Sequence, residues 1–461
     1  MWATAELMST FEDFKLSKQL KYAIDDLGFE KPTPIQSESY SKILSGKDVL
    51  GISQTGTGKT LAFTLPLLNE LKFSNQVPPR ILILVPTREL VLQTVKNLED
   101  YSKYVTLRVL GVYGGTNINT QKQYVAQGCD ILVATPGRLR DLALSGVLQL
   151  KHAKKLVIDE VDVMLDLGFR HQLADIFDML PEKRQNIMFS ATMTAEVDEL
   201  IDTFFVVPEK IAIAVSGTPL ENIKQTSYEL PNFHSKINLL KHLVKDKTEF
   251  KKVIVFVESK RYADLLFAEM GPRFEPEMAV IHSNKSQNYR ERSIDDFNTG
   301  KKRIIIATDV IARGLDLDKV SHVINMDTPI YAENYMHRIG RTGRAKEMGS
   351  SILMTAPYEA EKKSAIEELM QMKVELLSVP DEVEMSEQLT SDERPKNYEI
   401  NAGKYKNQEL TGGGAFHEKK EKNQKENQGG SYRRKMAAKY KKPIRRGDKI
   451  QNMKSKKRKK R

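Results

Sequence analysis

Ser53-Gln54-Thr55-Gly56-Thr57-Gly58-Lys59-Thr60 follows an apolar run and opens a helical one, the setting in which a glycine-rich loop wraps a phosphate. Gly56 and Gly58 let the backbone curl so that its N–H groups face phosphate oxygens, and the helix N-terminus adds a favourable dipole. Lys59 would then reach the β and γ phosphates of a nucleoside triphosphate, and the Thr60 hydroxyl would sit on Mg²⁺. Phosphoryl transfer to water also needs acids at a strand end, and Asp159-Glu160-Val161-Asp162 supplies them. Asp159 would bind Mg²⁺ through water, and Glu160 would position and deprotonate the attacking water. Alone, such a tetrad is an ordinary solvated loop; beside a phosphate loop it becomes a site. The third requirement is positive charge at the transition state. His337-Arg338-Ile339-Gly340-Arg341-Thr342-Gly343-Arg344 offers three arginines in a short, glycine-containing stretch. With these arginines on one domain and the phosphate loop on another, hydrolysis requires the domains to close.

These residues must be positioned by strands and helices. Residues 48–53, 80–86, 130–135, 155–159 and 186–190 are rich in Val, Ile and Leu with little alternation, as strands buried on both faces should be. Amphipathic stretches such as 88–101 lie between them, which implies a parallel sheet covered on both sides. Residues 214–225, with Ser216, Gly217 and Pro219, lack periodicity and read as a linker. The rhythm then restarts. Strands are expected at 252–257, 278–282, 303–308, 322–326 and 350–354, with helices at 259–270, 287–298 and 332–339. This second α/β domain has no phosphate loop of its own. The division expected is 1–213 for the first domain, 214–225 for the linker, 226–380 for the second domain and 381–461 for a disordered basic tail, with the acidic stretch 381–394 as a hinge out of the folded body.

Of 461 residues, 40% are apolar and 29% charged, with a single cysteine, Cys129. One cysteine excludes an internal disulfide framework and a cysteine-based zinc site, and its expected role is a small buried hydrophobe at a strand edge. No apolar run approaches the length of a bilayer span and no secretory signal precedes Phe14, so a cytoplasmic protein without membrane contact is expected. Residues 395–461 carry 23 Lys/Arg against six Asp/Glu, whereas the remaining 394 residues carry 49 against 55. A mildly acidic body with a strongly cationic tail points to a polyanionic partner, nucleic acid by default. Tyr405, Phe416, Tyr432 and Tyr440, interleaved with the charges, could stack on bases. A solubilising tail, or a nuclear or nucleolar address at 456–461, are the other readings.

In their order and form these motifs make the chain resemble the DEAD-box helicases of superfamily 2 over residues 11–355. Gly28-Phe29-Glu30-Lys31-Pro32-Thr33-Pro34-Ile35-Gln36 is similar to the Q motif, whose glutamine reads adenine, and Phe11 matches the upstream aromatic that packs on the base. Residues 53–60 resemble motif I, 159–162 motif II and Ser190-Ala191-Thr192 motif III, which with Asp162 couples nucleotide state to the domain interface. The resemblance implies two tandem RecA-like parallel-sheet domains, ATP and Mg²⁺ as cofactors, and RNA-stimulated ATP hydrolysis that locally unwinds or remodels RNA. It implies Gln54, Thr55, Gly56, Thr57, Gly58, Lys59, Thr60 and Asp316 around ATP, and Arg341 and Arg344 as arginine fingers. For RNA it points to Pro86, Thr87, Arg88, Gly114, Gly115, Thr135, Pro136, Gly137 and Arg138 on the first domain. On the second it points to Gln287 and Arg290, then Ala307-Thr308-Asp309 and Ala312-Arg313-Gly314-Leu315-Asp316. Many of these are small or backbone-presenting residues, suited to gripping a sugar–phosphate path without reading bases.

Two departures stand out. Val161 occupies the place of the family's name-giving alanine, and Ser53 begins motif I where alanine is usual; neither bears on the reaction itself. The partner implied is single-stranded RNA and short duplex, bound without sequence preference by a monomeric core, and ribosomal or RNA-decay proteins are compatible partners. Rival readings are a DNA-translocating helicase, an RNA clamp without useful turnover and an RNA chaperone acting through the tail. Met8 is an alternative start to Met1.

Overall fold

Ile81, Leu82, Ile83 and Leu84 are all buried, as a strand covered on both faces requires. The odd and even positions serve different cores. Ile81 and Ile83 join Val49 in one apolar cluster, while Leu82 and Leu84 join Leu50 in another. The computed structural model describes residues 10–54, 56–213, 222–309, 317, 319–343 and 348–394. Within it, β1 (Val49–Ile52), β2 (Ile81–Leu84), β3 (Val109–Val112), β4 (Ile131–Ala134), β5 (Lys155–Ile158), β6 (Gln185–Ser190) and β7 (Glu209–Ala212) make an all-parallel sheet. Their order is β3-β4-β2-β5-β6-β1-β7.

A second all-parallel sheet holds β8 (Ile223–Glu229), β9 (Val253–Phe256), β10 (Met278–Ile281), β11 (Ile304–Ala307), β12 (His322–Asn325), β13 (Gly349–Thr355) and β14 (Glu375–Leu376). Its order, β10-β11-β9-β12-β13-β8-β14, repeats the first when each sheet is counted from its own first strand. Val253 and Val255 pack on one face, Ile254 and Phe256 on the other. The helices expected at 88–101, 287–298 and 332–339 are present as Arg88–Tyr101, Gln287–Asn298 and Ala332–Ile339. The helix expected from 259 starts at Lys260, with the Ser259 hydroxyl as its cap. Cys129 is buried, and no helix among the described residues is long and apolar enough to cross a membrane.

Two boundaries differ from the sequence reading. β8 begins at Ile223, inside the stretch read as linker, and pairs with β13 along its whole length. Its polar residues hid it: Gln225, Thr226 and Ser227 are buried, with Gln225 Oε1 accepting from the Tyr335 hydroxyl (3.0 Å) and Ser227 Oγ donating to the Glu375 carbonyl (3.1 Å). The remaining linker residues 214–221 and the tail 395–461 lie outside the described residues.

The second difference is residues 381–394, which are not a hinge but a strap on the second sheet's helices. Val383 is buried in the same cluster as Ile237 and Leu240. Asn238 Nδ2 donates to the Glu384 carbonyl (2.8 Å), and Arg261 pairs with Asp392 (2.9 Å). Glu393 accepts from the Phe233 N–H (2.7 Å) at the start of helix Phe233–Leu243, and also from the N–H and hydroxyl of Thr390 (2.9 Å each). Glu393 thus caps both the helix and the turn at Thr390. Glu393→Ala should therefore lower the unfolding free energy of the full chain by about 1 kcal/mol, as measured by urea denaturation. No loss would mean that Val383 and the Arg261–Asp392 pair hold the strap unaided.

Candidate functional site

β1 runs into the phosphate loop, and helix Lys59–Glu70 leaves it. Gly58 sits at φ +90°, and a Cβ there would come within 2.4 Å of Gln36 Nε2. Only glycine fits that turn at that distance. Gln36 holds the loop from the side: its Nε2 donates to the Gly58 carbonyl (3.1 Å), while its Oε1 accepts from the Thr33 N–H (2.9 Å). Ser53, the departure from the usual alanine, bonds Thr57 hydroxyl to hydroxyl (2.6 Å), and Thr57 donates to the Gln54 carbonyl (2.8 Å). The Lys59 ammonium is buried and donates to the Ser53 carbonyl (2.9 Å). Phe11 is buried with its ring 5.4 Å from that of Phe14, below the loop's helix in the first sheet's core. Thr55 lies outside the described residues.

β5 delivers the acids. Asp159 and Glu160 are both buried, and Glu160 stands at φ 53°, ψ 50°, the left-handed region that costs a non-glycine residue on the order of 1 kcal/mol. One oxygen of Asp159 accepts the Glu160 N–H (3.0 Å). Oε2 of Glu160 is buried and accepts no hydrogen bond among the described residues. Burial pushes the Asp159 carboxyl well above the usual carboxylate range; Lys59 opposes the rise and Glu160 adds to it. Val161 is fully buried in the apolar cluster with Leu50 and Met188, so the extra methyls fill core space.

Asp162 is the most heavily bonded of the four. Its Oδ2 accepts from the N–H groups of Ala191 (3.1 Å) and Thr192 (2.9 Å) and from the Thr192 hydroxyl (2.9 Å). The same oxygen lies 3.5 Å from Nε2 of His337, which belongs to the second sheet's helix Ala332–Ile339. Burial alone would raise this carboxyl, but His337, Lys59 and the Thr192 hydroxyl together hold it below the usual range. The loop after β6 is closed by Ser190 Oγ donating to the Thr192 carbonyl (2.6 Å), and the Ser190 carbonyl accepts the Ser53 N–H (3.0 Å). Motifs I, II and III thus share one hydrogen-bonded path that ends on the second sheet unit.

Of the three arginines expected to supply charge, the two within the described residues stand in different environments. Arg338 is fully buried in its own unit, bonded to Asp309 and Asp327 (2.9 Å) and stacked over Phe256 (5.3 Å). Arg341 is buried, its Nε donating to the His337 carbonyl (3.3 Å), one turn from the contact with Asp162. Arg344 lies outside the described residues, as do Gly314 and Asp316. Thr308, which precedes them, is buried.

The remaining expected residues follow strand ends of the same edge. Pro86, Thr87 and Arg88 come after β2, with Thr87 capping helix Arg88–Tyr101. Gly114 and Gly115 come after β3, and Gly115 sits at φ +82° with Arg88 Nη2 only 2.5 Å from where a Cβ would be. Thr135, Pro136, Gly137 and Arg138 follow β4, and Arg138 donates to the Gln121 side chain (2.7 Å) and the Thr116 carbonyl (2.9 Å). Arg290 is buried 2.7 Å from Glu89, a second ion pair between the two sheet units, and also donates to Gln287 (2.6 Å). Sequence reasoning gave Glu89 and His337 no role of their own and counted Arg338 among the arginines supplying charge, whereas here it is held within its unit. Their partners lie on distant segments, so only adjacency to motif residues could have flagged them.

The phosphate loop, the acids after β5 and the loops after β2, β3, β4 and β6 all lie at the carboxyl ends of parallel strands, where open α/β sheets bind ligands. A phosphate loop on one sheet unit and a buried arginine on a second of the same strand order define a tandem-domain, nucleotide-driven motor of the helicase type. Residues 33–200 match the DEAD/DEAH box helicase family model and residues 235–346 the helicase conserved C-terminal domain. The chain is 37% identical over 380 residues to the RNA helicase CrhR of Synechocystis sp., covering 82% of this chain and 76% of that protein. It is 38% identical over 377 residues to the ATP-dependent RNA helicase DeaD of Escherichia coli K12, and the match spans 59% of DeaD's length. Among solved structures it resembles S. cerevisiae Dbp5 bound to RNA and ADP BeF3, with a TM-score of 0.74 and 29% identity over 81% of this chain and 97% of that one. The chain belongs to the DEAD-box helicase family.

Because Glu160 is strained and buried, with Oε2 lacking a donor among the described residues, no hydrogen bond to that oxygen supports folding. Glu160→Gln should leave the unfolding free energy unchanged or raise it by up to about 1 kcal/mol, read from chemical denaturation. A loss larger than that would assign the carboxylate a structural role.

Proposed function

We propose that this chain is an RNA-dependent ATPase and RNA helicase whose two sheet units hydrolyse ATP only when they close together on RNA. The observation that carries the reading is the Asp162 carboxylate, bonded to Thr192 and 3.5 Å from His337, because it ties the catalytic acids to the unit that bears the arginines.

Lys59 would exchange the Ser53 carbonyl for the β and γ phosphates, trading a neutral acceptor for an anionic one. Gln36 spends one N–H on Gly58 and one lone pair on Thr33, which leaves one donor and one acceptor for the adenine N7/N6 edge. Phe11 would close the base side, Gln54, Thr55, Gly56, Thr57 and Gly58 would wrap the phosphates, and Asp316 would reach the ribose. Thr60 and the buried Asp159 offer hard oxygen donors at the phosphate end, a set that suits Mg²⁺ held partly by water and phosphate rather than by an all-protein cage. When bound, the ion would neutralise charge on the phosphates. Glu160 would orient and deprotonate the attacking water with its unpartnered oxygen, and Arg341 and Arg344 would meet the charge that develops on the γ-phosphoryl group.

RNA would lie along the strand-end loops, touching Pro86, Thr87, Arg88, Gly114, Gly115, Thr135, Pro136, Gly137, Arg138, Arg290, Thr308 and Gly314 through sugar and phosphate. Single-stranded RNA and short duplexes fit this grip, and the cationic residues 395–461 would tether longer RNA to the core. A cytoplasmic, monomeric enzyme, open to ribosomal or RNA-decay partners, accords with the reading.

Steady-state ATP hydrolysis should rise strongly with single-stranded RNA and not with DNA of the same sequence. Glu160→Gln should lower the RNA-stimulated rate by about 10²–10⁴-fold while retaining ATP and RNA binding. Equal turnover in that variant would remove Glu160 as the base, and stimulation by DNA would favour a DNA translocase. Truncation after Arg394, which spares the strap, should weaken RNA affinity and flatten its salt dependence by about 0.7 log units per lost phosphate contact. An unchanged slope in filter binding across a salt series would dismiss the tether.

A further inference from the structure

At the end of the first sheet opposite the strand-end loops, four cations surround a cavity of about 220 Å³: Lys72, Arg80, Lys154 and Lys155. Their convergence follows from register. β2 and β5 pair with Ile81 opposite Lys155, so Arg80 and Lys154 meet at the strand starts, where the Lys154 N–H donates to the Arg80 carbonyl (2.8 Å). Lys72 lies just beyond the C-terminus of helix Lys59–Glu70. Leu67, Leu71 and Ile81 give the cavity an apolar lining, and Glu70 is the one carboxylate in it.

The ordinary explanation for such a cluster is charge neutralisation, and part of it is that. Lys155 pairs with Glu70, while Arg80 pairs with Asp130 (2.7 Å) and donates to the Lys72 carbonyl (2.7 Å) at the helix end. Three features remain unexplained by it. Lys72 and Lys154 form no ion pair among the described residues. Nε of Arg80 is buried and has no acceptor among the described residues, a costly state for a charged donor. Phe73, beside Lys72 in the chain, is 74% exposed, more than any other described phenylalanine. Unpaired cations, an unsatisfied guanidinium donor and an exposed aromatic form the combination that holds single-stranded nucleic acid without sequence preference.

We propose that this rear cavity is a second contact for single-stranded RNA, taking a phosphodiester among Lys72, Lys154 and Arg80 and an unstacked base against Phe73. It rests on the RNA reading above and extends it. The strand-end loops lie at the carboxyl ends of strands of which β2 and β5 are four residues long, about 13 Å. A strand touching both places must pass around the sheet. Long RNA reaches both, whereas an oligomer just long enough to saturate ATP hydrolysis occupies the strand-end loops alone.

The test uses the full chain with Lys72→Glu and Lys154→Glu combined, and separately Phe73→Ala. Binding is measured across a salt series with the saturating oligomer and with a strand several times longer. The double variant should bind the longer strand roughly ten-fold more weakly, with a log–log salt slope smaller by about 1–2. Its ATP hydrolysis with the short oligomer should equal that of the unaltered protein. Phe73→Ala should weaken long-strand binding without changing the slope, which a loss of general surface charge would not do. Unchanged long-strand affinity in both variants, with RNA stimulation intact, would overturn the proposal and leave the helicase reading standing. Binding of a free mononucleotide that the double variant abolishes, with long-strand affinity unaltered, would also overturn it. Absence of RNA stimulation in the unaltered protein would instead remove the RNA reading on which it rests.

Discussion

One oxygen of Asp162 receives two backbone N–H groups and a hydroxyl from the loop after β6 and faces an imidazole from the second sheet unit. A carboxylate this deeply buried is tolerable only with partners, and here they come from two segments remote in sequence. The position of helix Val161–Asp166, the fold of the loop after β6 and the placement of helix Ala332–Ile339 are therefore mutually dependent. Asp159 and Glu160 sit three and two residues before it. Arg341 is one turn past His337, and Ser53 hangs its N–H on Ser190. The groups assigned to chemistry are thus located by a carboxylate that is not itself assigned to react. A change in the spacing of the two units is felt first at that oxygen and then at the acids.

The two sheets share a strand order but differ in what meets the first helix of each. After β1 the chain makes a glycine turn, and helix Lys59–Glu70 begins with its N-terminal groups directed toward the loop. After β8 there is no glycine. The Asn232 side chain accepts from the Ser235 N–H (2.9 Å), and Glu393 supplies a carboxylate to the Phe233 N–H. A helix N-terminus attracts an anion in either unit. In the second unit the protein provides that anion from its own strap, so the place where a phosphate would bind is filled by residues 381–394. The same topology leaves a helix N-terminus free for an anion once and ties it to a structural anchor once.

Much of this was legible in the sequence because buried parallel strands read as continuous Val, Ile and Leu runs, and because glycine, lysine and threonine at fixed offsets leave few alternatives. The parts that were not legible have a common cause. β8 is a central strand whose buried Gln225, Thr226 and Ser227 are satisfied by Tyr335, β14 and their neighbours, so its polarity reports tertiary partners rather than exposure. Edge strand β7 buries only Ile211 and leaves almost no pattern. Residues 381–394 look like a solvated acidic stretch until the helix they cap is seen. Arg338 and Arg341 are chemically alike and three residues apart. Only Asp309, Asp327 and Phe256 around the first mark it as structural, and none of the three is near it in the chain.

The site also separates groups that are fixed from groups left to act. Asp162 is held by several donors and Arg338 by two carboxylates; neither has bonding capacity to spare. Glu160, between Asp159 and the start of its helix, holds a left-handed backbone and a buried oxygen with no donor. Folding did not create that arrangement for its own benefit, since both features cost free energy. Lys59 occupies an intermediate state, parked on a neutral carbonyl that an anionic phosphate would outcompete. Unsatisfied or weakly satisfied groups at the strand ends, braced by a fully satisfied carboxylate beside them, are what a preorganised site requires. The bracing supplies rigidity, and the unmet hydrogen-bonding capacity is reserved for the substrate.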